Sequence, residues 1–197
     1  MDAGPKDEEL IASIGRGEED ALVVLMGRHK QAVYHFVYRY LNNDADSAEV
    51  TEEAFFKVYQ NAARFQPKAS AKTWIFSIAL NLTRDRLRKR KKSRGEFSYD
   101  QVRASEGGES SMLDHIDSGE RSPVAHSQTS DDLRAIHSSI ERLPEKLRFP
   151  FVFCVLEEHS YDECSAIIKS SRKTVETRIY RARQALRSLL EDLVQKV

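Results

Sequence analysis

Basic and hydrogen-bonding side chains recur at helical spacing in one stretch of this chain, from Ser160 to Arg187. Two short helical patterns meet there across Lys169-Ser170-Ser171. The second pattern places apolar residues on one side of a helix and polar residues on the other, namely Val175, Ile179, Ala182 and Leu186 against Lys173, Thr177, Tyr180, Arg181 and Gln184. A helix-turn-helix needs such a second helix, which packs by its apolar stripe and presents cations to the major groove. The stretch therefore predicts DNA binding.

The residues expected to contact duplex DNA lie in the first half of this helix: Arg172, Lys173, Thr174, Thr177, Arg178 and Arg181. In such motifs the side chains nearest the helix start reach base edges, so Arg181 is expected to contact phosphate instead. The alternative is a basic helix that is merely solvated. The helical pattern directly upstream argues against that alternative.

A second basic block lies in the first half of the chain. Residues 84–94 hold eight basic side chains, with Asp85 as the sole acid. They cannot all face one way on a helix, so most are expected to contact phosphate or solvent. Just upstream, Asn81 is able to pair with a base edge, although in an ordinary helix it would be a weak helix former at the surface. Residues 44–53, in contrast, hold five acids and no base. This distribution predicts two nucleic-acid contacts and one surface for a basic partner.

Bulk composition excludes several classes of protein. The 197 residues carry 31 basic and 31 acidic side chains, and no apolar run reaches the roughly 18 residues that cross a bilayer. The acidic start is unlike a signal peptide, so a cytoplasmic location is expected. Cys154 and Cys164 fall among apolar residues and predict buried thiols, with a redox pair as the alternative. No spacing of His and Cys fits a metal site, and we expect no catalytic residue, cofactor or metal.

The elements that position these residues are predicted to be helices throughout. Helical patterns cover the chain from residue 7 to about residue 92, interrupted at Asn42-Asn43-Asp44, where Asp44 or Asp46 is the expected N-cap, and near Pro67. Residues 93–130 are rich in Ser, Gly and acids, and they lack an apolar period. Helical signal returns at residue 131, and Pro150 should kink or restart the helix that contains it. We therefore expect an all-α protein with two small helical domains, 1–94 and 131–197, joined by a flexible acidic linker at 95–130.

The order of these segments resembles the extracytoplasmic-function (group IV) sigma factors, promoter-specificity subunits of bacterial RNA polymerase. DSAEVTEEAFFKVYQNAARF, residues 46–65, is similar to the polymerase-docking helix of that family, and KTWIFSIALNLTRDRLRKRKK, residues 72–92, to its helix for the melted promoter. LPEKLRFPFVF, HSYDE and TVETRIYRARQALR fit its helix-turn-helix domain. Three departures stand out: Lys169-Ser170-Ser171 replaces the usual turn glycine, Glu52 stands where Gln is frequent, and Glu176 puts an acid near DNA.

The resemblance implies a role for each segment. The first domain, sigma region 2, would dock on a coiled coil of the largest polymerase subunit through Glu49, Glu52, Glu53 and Phe56. It would recognise and open the minus-ten element through Gln66, Lys68, Ser70, Asn81, Arg84 and Arg88, the first three of which belong to a loop that captures an extruded base. The second domain, sigma region 4, would contact the polymerase flap and read the minus-thirty-five element. An anti-sigma factor is the other implied partner, and no membrane contact is expected except through it.

Simpler interpretations stay open for some of these residues. Glu49, Glu52 and Glu53 also fit a solvated acidic face, and the loop at 65–71 fits an ordinary connector. The alternative for the whole chain is a stand-alone helix-turn-helix regulator, with an enzyme as a distant third. Residues 46–65 discriminate the first two, because a repressor has no need of a polymerase-docking helix.

Overall fold

Helices make up almost all of the chain that the computed structural model describes, namely residues 4–66, 70–93 and 128–194. The prediction of an all-α fold is confirmed, since no strand occurs within these ranges. Most of the predicted linker lies outside the described residues. Its last three residues, 128–130, instead begin a helix. We call residues 4–93 the first module and residues 128–194 the second module.

The first module is a four-helix bundle. Its helices are α1 (Asp7–Gly15), α2 (Glu19–Leu41), α3 (Asp44–Asn61) and α4 (Ala71–Ser93), with a short 3₁₀ turn at Ala62–Arg64 after α3. Helices α2, α3 and α4 pack on one another around buried apolar residues at helical spacing, and α1 closes one end. The core side chains are Ile11, Leu25, Phe36, Val37, Tyr40, Val50, Phe55, Val58, Ile75, Phe76 and Leu80.

Local chemistry sets the ends of these helices. The N-cap of α3 is Asn43, whose side chain accepts a hydrogen bond from the Asp46 backbone N–H at 2.8 Å. The prediction of Asp44 or Asp46 as the cap is therefore wrong by one residue or more. At the end of α1, a Cβ on Gly15 would lie 3.0 Å from the Ala63 backbone, so only glycine allows that close approach.

The second module is built from four α-helices and one wider turn. These are α5 (Gln128–Arg142), α6 (Glu145–Phe151), a π-helix at Val152–Leu156, α7 (Tyr161–Ile168) and α8 (Arg172–Val194). Pro150 lies inside α6, where it lacks the N–H for an α-helical hydrogen bond. The predicted kink or restart takes the form of the π-helix that follows directly, and Phe149, Phe151 and Phe153 stay buried through it.

Helices α7 and α8 form the predicted helix-turn-helix. Ser160 caps α7 in a capping box with Glu163, and the stripe of Val175, Ile179, Ala182 and Leu186 on α8 is buried as predicted. The turn between the helices lacks glycine, and Lys169 adopts the left-handed conformation there, with φ 50° and ψ 50°. A non-glycine residue thus carries the strain of this turn.

The two modules pack directly against each other, a contact that sequence reasoning did not predict. Phe36 and Phe76 of the first module meet Phe149 and Phe153 of the second, with ring centroids 5.3–6.3 Å apart across the contact. All four rings are almost completely buried. Such pairs stabilise by about 0.5–1.5 kcal/mol each beyond the burial of their area. We call these four residues the aromatic cluster, and the arrangement it holds together the closed form.

Ion pairs surround the aromatic cluster. Arg39 of α2 donates from Nη1 to the Leu156 carbonyl at 3.0 Å, and its Nε lies 2.9 Å from Glu157 Oε1. Lys72 of α4 lies 3.6 Å from Glu163 of α7, and Arg84 of α4 pairs with Glu145 of α6. The Glu157 side chain is largely buried, which raises its pKa, and Arg39 partly offsets that rise. Each pair joins one module to the other.

Candidate nucleic-acid and protein interfaces

The acidic residues of α3 are exposed, but each has a basic neighbour. Arg86 Nη2 lies 2.5 Å from Glu49, whereas Lys30 lies 3.7 Å from Glu52 and Lys57 lies 3.9 Å from Glu53. Exposed pairs at the last two distances contribute little stability, so both carboxylates remain available to another partner. Glu49, in contrast, also braces α4 against α3. The predicted docking acids are therefore not equivalent.

An apolar patch lies in the middle of this acidic surface. Phe56 is 59% exposed although it directly follows the buried Phe55, and Tyr59, one turn later, is 38% exposed. The opposite side of α3 carries the core residues Val50, Phe55 and Val58. Phe56 belonged to the predicted docking set and Tyr59 did not, although its position three residues after Phe56 is the signal that would have found it. An exposed aromatic pair ringed by charge is typical of a protein-binding surface.

The loop before α4 contains the three residues predicted to capture a base, and the structure describes two of them. Gln66 is exposed, Ser70 is exposed at the helix start, and Lys68 lies outside the described residues. Ser70 Oγ accepts a hydrogen bond from the Thr73 N–H at 3.2 Å, and Glu8 Oε1 accepts one from the Ala71 N–H at 3.0 Å. Ser70 is thus a helix cap, which fixes the end of the loop. Trp74 is half-buried against Phe65, with ring centroids 4.9 Å apart.

The basic block of α4 divides into two groups. Arg86 bridges Asp46 and Glu49, and Arg90 donates to the Leu41 carbonyl at 2.9 Å. The hydrogen bond with Glu49 raises the pKa of Arg86. These two arginines hold α4 to α2 and α3, a role that the sequence did not predict for either of them. Sequence spacing could not find this role, because it depends on which side of α4 meets its neighbours.

Three other candidate residues of α4 face outward or toward the second module. Asn81 is exposed, Arg84 pairs with Glu145 across the module contact, and Arg88 pairs with Asp85 within α4 at 2.8 Å. Arg84 is engaged in the closed form and would have to release Glu145 before it could contact DNA.

The first turns of α8 hold the candidate residues for duplex DNA on an exposed surface. Arg172, Lys173, Thr177 and Arg181 are exposed, whereas Thr174 and Arg178 are half-buried. Ser171 caps the helix by accepting from the Thr174 N–H at 3.2 Å. Arg172 lies 3.2 Å from Asp162 and 3.3 Å from Glu176. Glu176, which departs from the family pattern, therefore restrains the Arg172 side chain.

Tyr180 is a further exposed residue on the same side of α8. Its ring is 64% exposed, and it lies one helical turn beyond Thr177. It was on the polar side in the helical pattern but not among the predicted contacts. A large exposed aromatic next to cations is a ready contact for DNA methyl groups or sugars.

One cleft brings residues of the two predicted DNA-binding sets together. It has a volume of about 490 Å³ and lies between α4 and the second module. Asn81 and Arg84 line it from the minus-ten set, and Arg178 lines it from the minus-thirty-five set, together with Lys146 and Lys169. The closed form therefore places members of both sets, Asn81 and Arg84 on one side and Arg178 on the other, at the same cleft.

A second groove, on the surface of the second module, is apolar. It has a volume of about 710 Å³, and Phe151, Val155, Leu186 and Leu190 form its floor. Arg183, Arg187 and Glu191 line its edges. A groove of this composition accepts the apolar side of an amphipathic helix.

The thiols are buried as predicted. Cys154 and Cys164 are both free and inaccessible, and the pKa of the Cys164 thiol is raised by its hydrogen bond with Cys154 and by burial. Among residues 4–66, 70–93 and 128–194, no group of three His, Cys, Asp or Glu side chains is placed to hold a metal ion. Nor does any helix there combine the length and hydropathy that a membrane span requires.

Comparison with known proteins identifies both modules. Residues 25–93 match the family described as Sigma-70 region 2, and residues 133–186 match Sigma-70, region 4. The ECF RNA polymerase sigma factor SigW of Bacillus subtilis is 32% identical over 93% of this chain and 96% of its own length. The ECF RNA polymerase sigma-E factor of Escherichia coli is 29% identical over 96% of this chain and 97% of its own.

Solved structures share the fold. CnrH in complex with the cytosolic domain of CnrY superimposes with a TM-score of 0.68 over 94% of this chain and 97% of that one, at 24% identity. The sigma factor RpoE of Bartonella quintana, solved with the anti-sigma factor NepR, gives a TM-score of 0.56 over 82% and 91% of the two chains, at 20% identity.

Proposed function

The chain belongs to the extracytoplasmic-function sigma factors, which direct transcription initiation by RNA polymerase, and from this membership we propose how its surfaces divide the work. The first module is sigma region 2, which binds core polymerase and opens the minus-ten element. The second module is sigma region 4, which reads the minus-thirty-five element. Neither module has a catalytic task in this scheme, because polymerase supplies the chemistry.

The acidic surface of α3 is the proposed docking site for the coiled coil of the largest polymerase subunit. Two observations support it: Glu52 and Glu53 keep only distant basic neighbours, and Phe56 with Tyr59 offers exposed aromatic area between them. Charge complementarity speeds encounter and sets register, while the desolvated aromatics supply most of the affinity.

The minus-ten set is proposed to be Gln66, Lys68, Ser70, Asn81, Arg84 and Arg88, and the minus-thirty-five set Arg172, Lys173, Thr174, Thr177, Arg178 and Arg181. Their promoter elements lie about 25 base pairs apart, which is about 85 Å along straight duplex at about 3.4 Å per base pair. In the closed form Asn81, Arg84 and Arg178 line one cleft. The modules must therefore separate before both elements can be contacted, and a shared polymerase then holds both weak readers near their sites.

The apolar groove of the second module is the proposed site for the polymerase flap. Its floor is made of aliphatic and aromatic side chains, with two arginines and one glutamate at the edges. We also propose an anti-sigma partner, because the related folds CnrH and RpoE were solved with CnrY and with the anti-sigma factor NepR. The protein would work in the compartment that holds polymerase and DNA, the cytoplasm.

The test is transcription with core polymerase and mapped start sites. Core enzyme with this protein should initiate at discrete promoters, and core enzyme alone should not. The Phe56→Ala variant should lose initiation together with core co-purification, whereas Arg16→Ala, at an exposed position in the turn after α1, should keep both. Output that does not depend on this protein would favour a stand-alone helix-turn-helix regulator.

A further inference from the structure

Two histidines of the second module pack at the module contact, each against an aromatic ring of the first module. His159 is 8% exposed, with its ring centroid 4.6 Å from Phe76 and 4.1 Å from Phe153. His137, on α5, lies edge-on to Tyr38 of α2 at 5.9 Å. The contacts with Phe76 and with Tyr38 join the modules and are lost once the modules separate, whereas Phe153 belongs to the same module as His159.

Each of these rings keeps one nitrogen buried without a hydrogen-bond partner among the described residues. The nitrogens are Nε2 of His159 and Nδ1 of His137. A neutral imidazole tolerates this, since one of its nitrogens is only an acceptor, but an imidazolium has a donor on both nitrogens. Burying a charged ring with an unpaired donor is costly, and exposure to water removes that cost.

We propose that His137 and His159 form an acid-sensitive latch between the modules, which holds the closed form while both rings are neutral and releases it when they are protonated. The aromatic cluster holds the two modules together, and the protonation state of the two histidines determines whether that contact persists. Opening separates the two DNA-binding sets from their shared cleft.

The pKa directions agree with this geometry. Burial lowers the pKa of His159 to about 4 from an ordinary value of 6.5, and the positive charge of Lys72 on α4 adds to the effect. Burial, followed by Arg39 on α2, lowers the pKa of His137. Both rings therefore bind protons more readily in an open form, where water replaces Phe76 beside His159 and Tyr38 beside His137.

The other charged groups around the histidines do not reverse this direction for His159. His29 on α2 opposes its protonation, and Glu163 on α7 favours it, but Glu163 already pairs with Lys72 and accepts from Ser160. Glu157 acts against the latch, because burial raises its pKa and acid would neutralise it within the closed form. Variants of the histidines are needed to separate these contributions.

The expected pH window follows from the two states of His159. Above pH 6.5 the ring is neutral in both forms, and the closed form is unaffected. Between pH 6.5 and about 4 only the open form takes up the proton. Each unit by which the pH falls therefore raises the ratio of open to closed form about tenfold. At pH 5.5 His159 alone should shift the equilibrium by about tenfold, and His137 shifts it in the same direction.

Small-angle scattering of the full chain tests the latch without reference to promoter or polymerase. The radius of gyration of the unmodified protein should increase between pH 7.5 and pH 5.5. A His137→Phe/His159→Phe variant keeps aromatic rings in both places and should remain compact at both values. The control His35→Gln removes an exposed histidine of α2 and should expand as the unmodified protein does. No expansion of the unmodified protein, or equal expansion of the double variant, would overturn the proposal.

A second measurement needs no variant. Nuclear magnetic resonance titration of the histidine rings in the unmodified chain should place the apparent pKa of His137 and of His159 below the ordinary histidine value of about 6.5, with the lowering coupled to opening. Ordinary titration of both rings, with no change of shape, would reject the latch even if transcription showed the chain to be a functional sigma factor.

Discussion

Glu52 and Glu53 are the residues on which the docking assignment can be tested most cleanly. Unlike Glu49, they do not brace α4, since their basic neighbours lie 3.7 and 3.9 Å away at the surface. Reversing both to Lys should therefore leave the first module folded and weaken core binding. Changing charges at the rim of an interface alters the association rate more than the dissociation rate, so we expect the association rate to fall at least tenfold.

The measurement is surface-immobilised core polymerase with a salt series. The matched control reverses Glu19 and Asp20, two exposed acids at the start of α2. Equal association of the Glu52→Lys/Glu53→Lys variant and the control variant would remove the acidic surface from the docking site.

Lys173 and Thr177 carry the corresponding test for the second module. Both are exposed on α8, and Thr177 Oγ1 donates to the Lys173 carbonyl at 2.9 Å, so its hydroxyl needs only a rotation to face a base. Replacing both with Ala should cost about 1–3 kcal/mol of discrimination per lost base contact and leave core binding intact. Footprints of the holoenzyme on wild-type and scrambled upstream elements measure this. An unchanged preference would show that the groove-facing side of α8 is assigned wrongly.

Sequence patterns predicted side-chain types at this scale better than side-chain partners. The buried stripe of α8 follows from the helical periodicity of its apolar residues. The pairing of Arg86 with Asp46 and Glu49, in contrast, depends on how α4 packs against α3. Nothing in local spacing distinguishes Arg86 from Arg88, yet one braces the bundle and the other stays at the surface. The roles of the DNA-binding candidates remain predictions.

At the scale of elements, the turn between α7 and α8 offers a stabilising substitution. Lys169 occupies a left-handed conformation that costs a side-chain-bearing residue about 1–2 kcal/mol. Lys169→Gly should raise the free energy of unfolding by about 0.5–1 kcal/mol, after the larger entropy loss of glycine on folding is subtracted. Urea unfolding followed by circular dichroism measures it, with Lys169→Ala as the control that keeps the unfavourable conformation. A Gly variant no more stable than the Ala variant would contradict the assigned turn geometry.

Helix existence was predictable throughout the described ranges, and some boundaries were not. The sequence placed the end of α2 at Asn42-Asn43-Asp44 but chose the wrong cap, because Asn and Asp compete closely for that position. Pro150 predicted a kink or restart of its helix but did not indicate that the irregularity would be a π-helix. A π-helix has no sequence signature of its own, so the path from Val152 to Leu156 had to come from the structure.

At the scale of the whole molecule, Arg39 is the residue whose loss should open the closed form. Its removal leaves Glu157 buried without its ionic partner and the Leu156 carbonyl without a donor. Because the open form exposes Glu157 to water, Arg39→Ala should penalise only the closed form, by on the order of 2 kcal/mol. Scattering at pH 7.5 should then show an expanded molecule. Arg88→Ala, which breaks a pair within α4, is the control that should stay compact.

The module contact was the part of the architecture least accessible to sequence reasoning. Phe36, Phe76, Phe149 and Phe153 each fit the apolar period of their own helix and read as core residues. Hydrophobic periodicity shows that a side chain is buried, but it does not show whether the side chain is buried within its own module or between two modules. Two separate domains were therefore the natural expectation. The aromatic cluster belongs to both.

The π-helix also constrains the spacing of the chain around it. A π-turn holds one residue more than the α-turn it replaces, and each helical residue advances the backbone by about 100°. Deleting one residue from Val152 to Leu156 would reduce the π-turn to an α-turn, whereas inserting one would rotate the chain that follows by about that angle and take both acceptors away from Arg39. Substitutions there should consequently be tolerated far better than one-residue insertions, because the number of residues in this segment fixes how the chain after it is oriented.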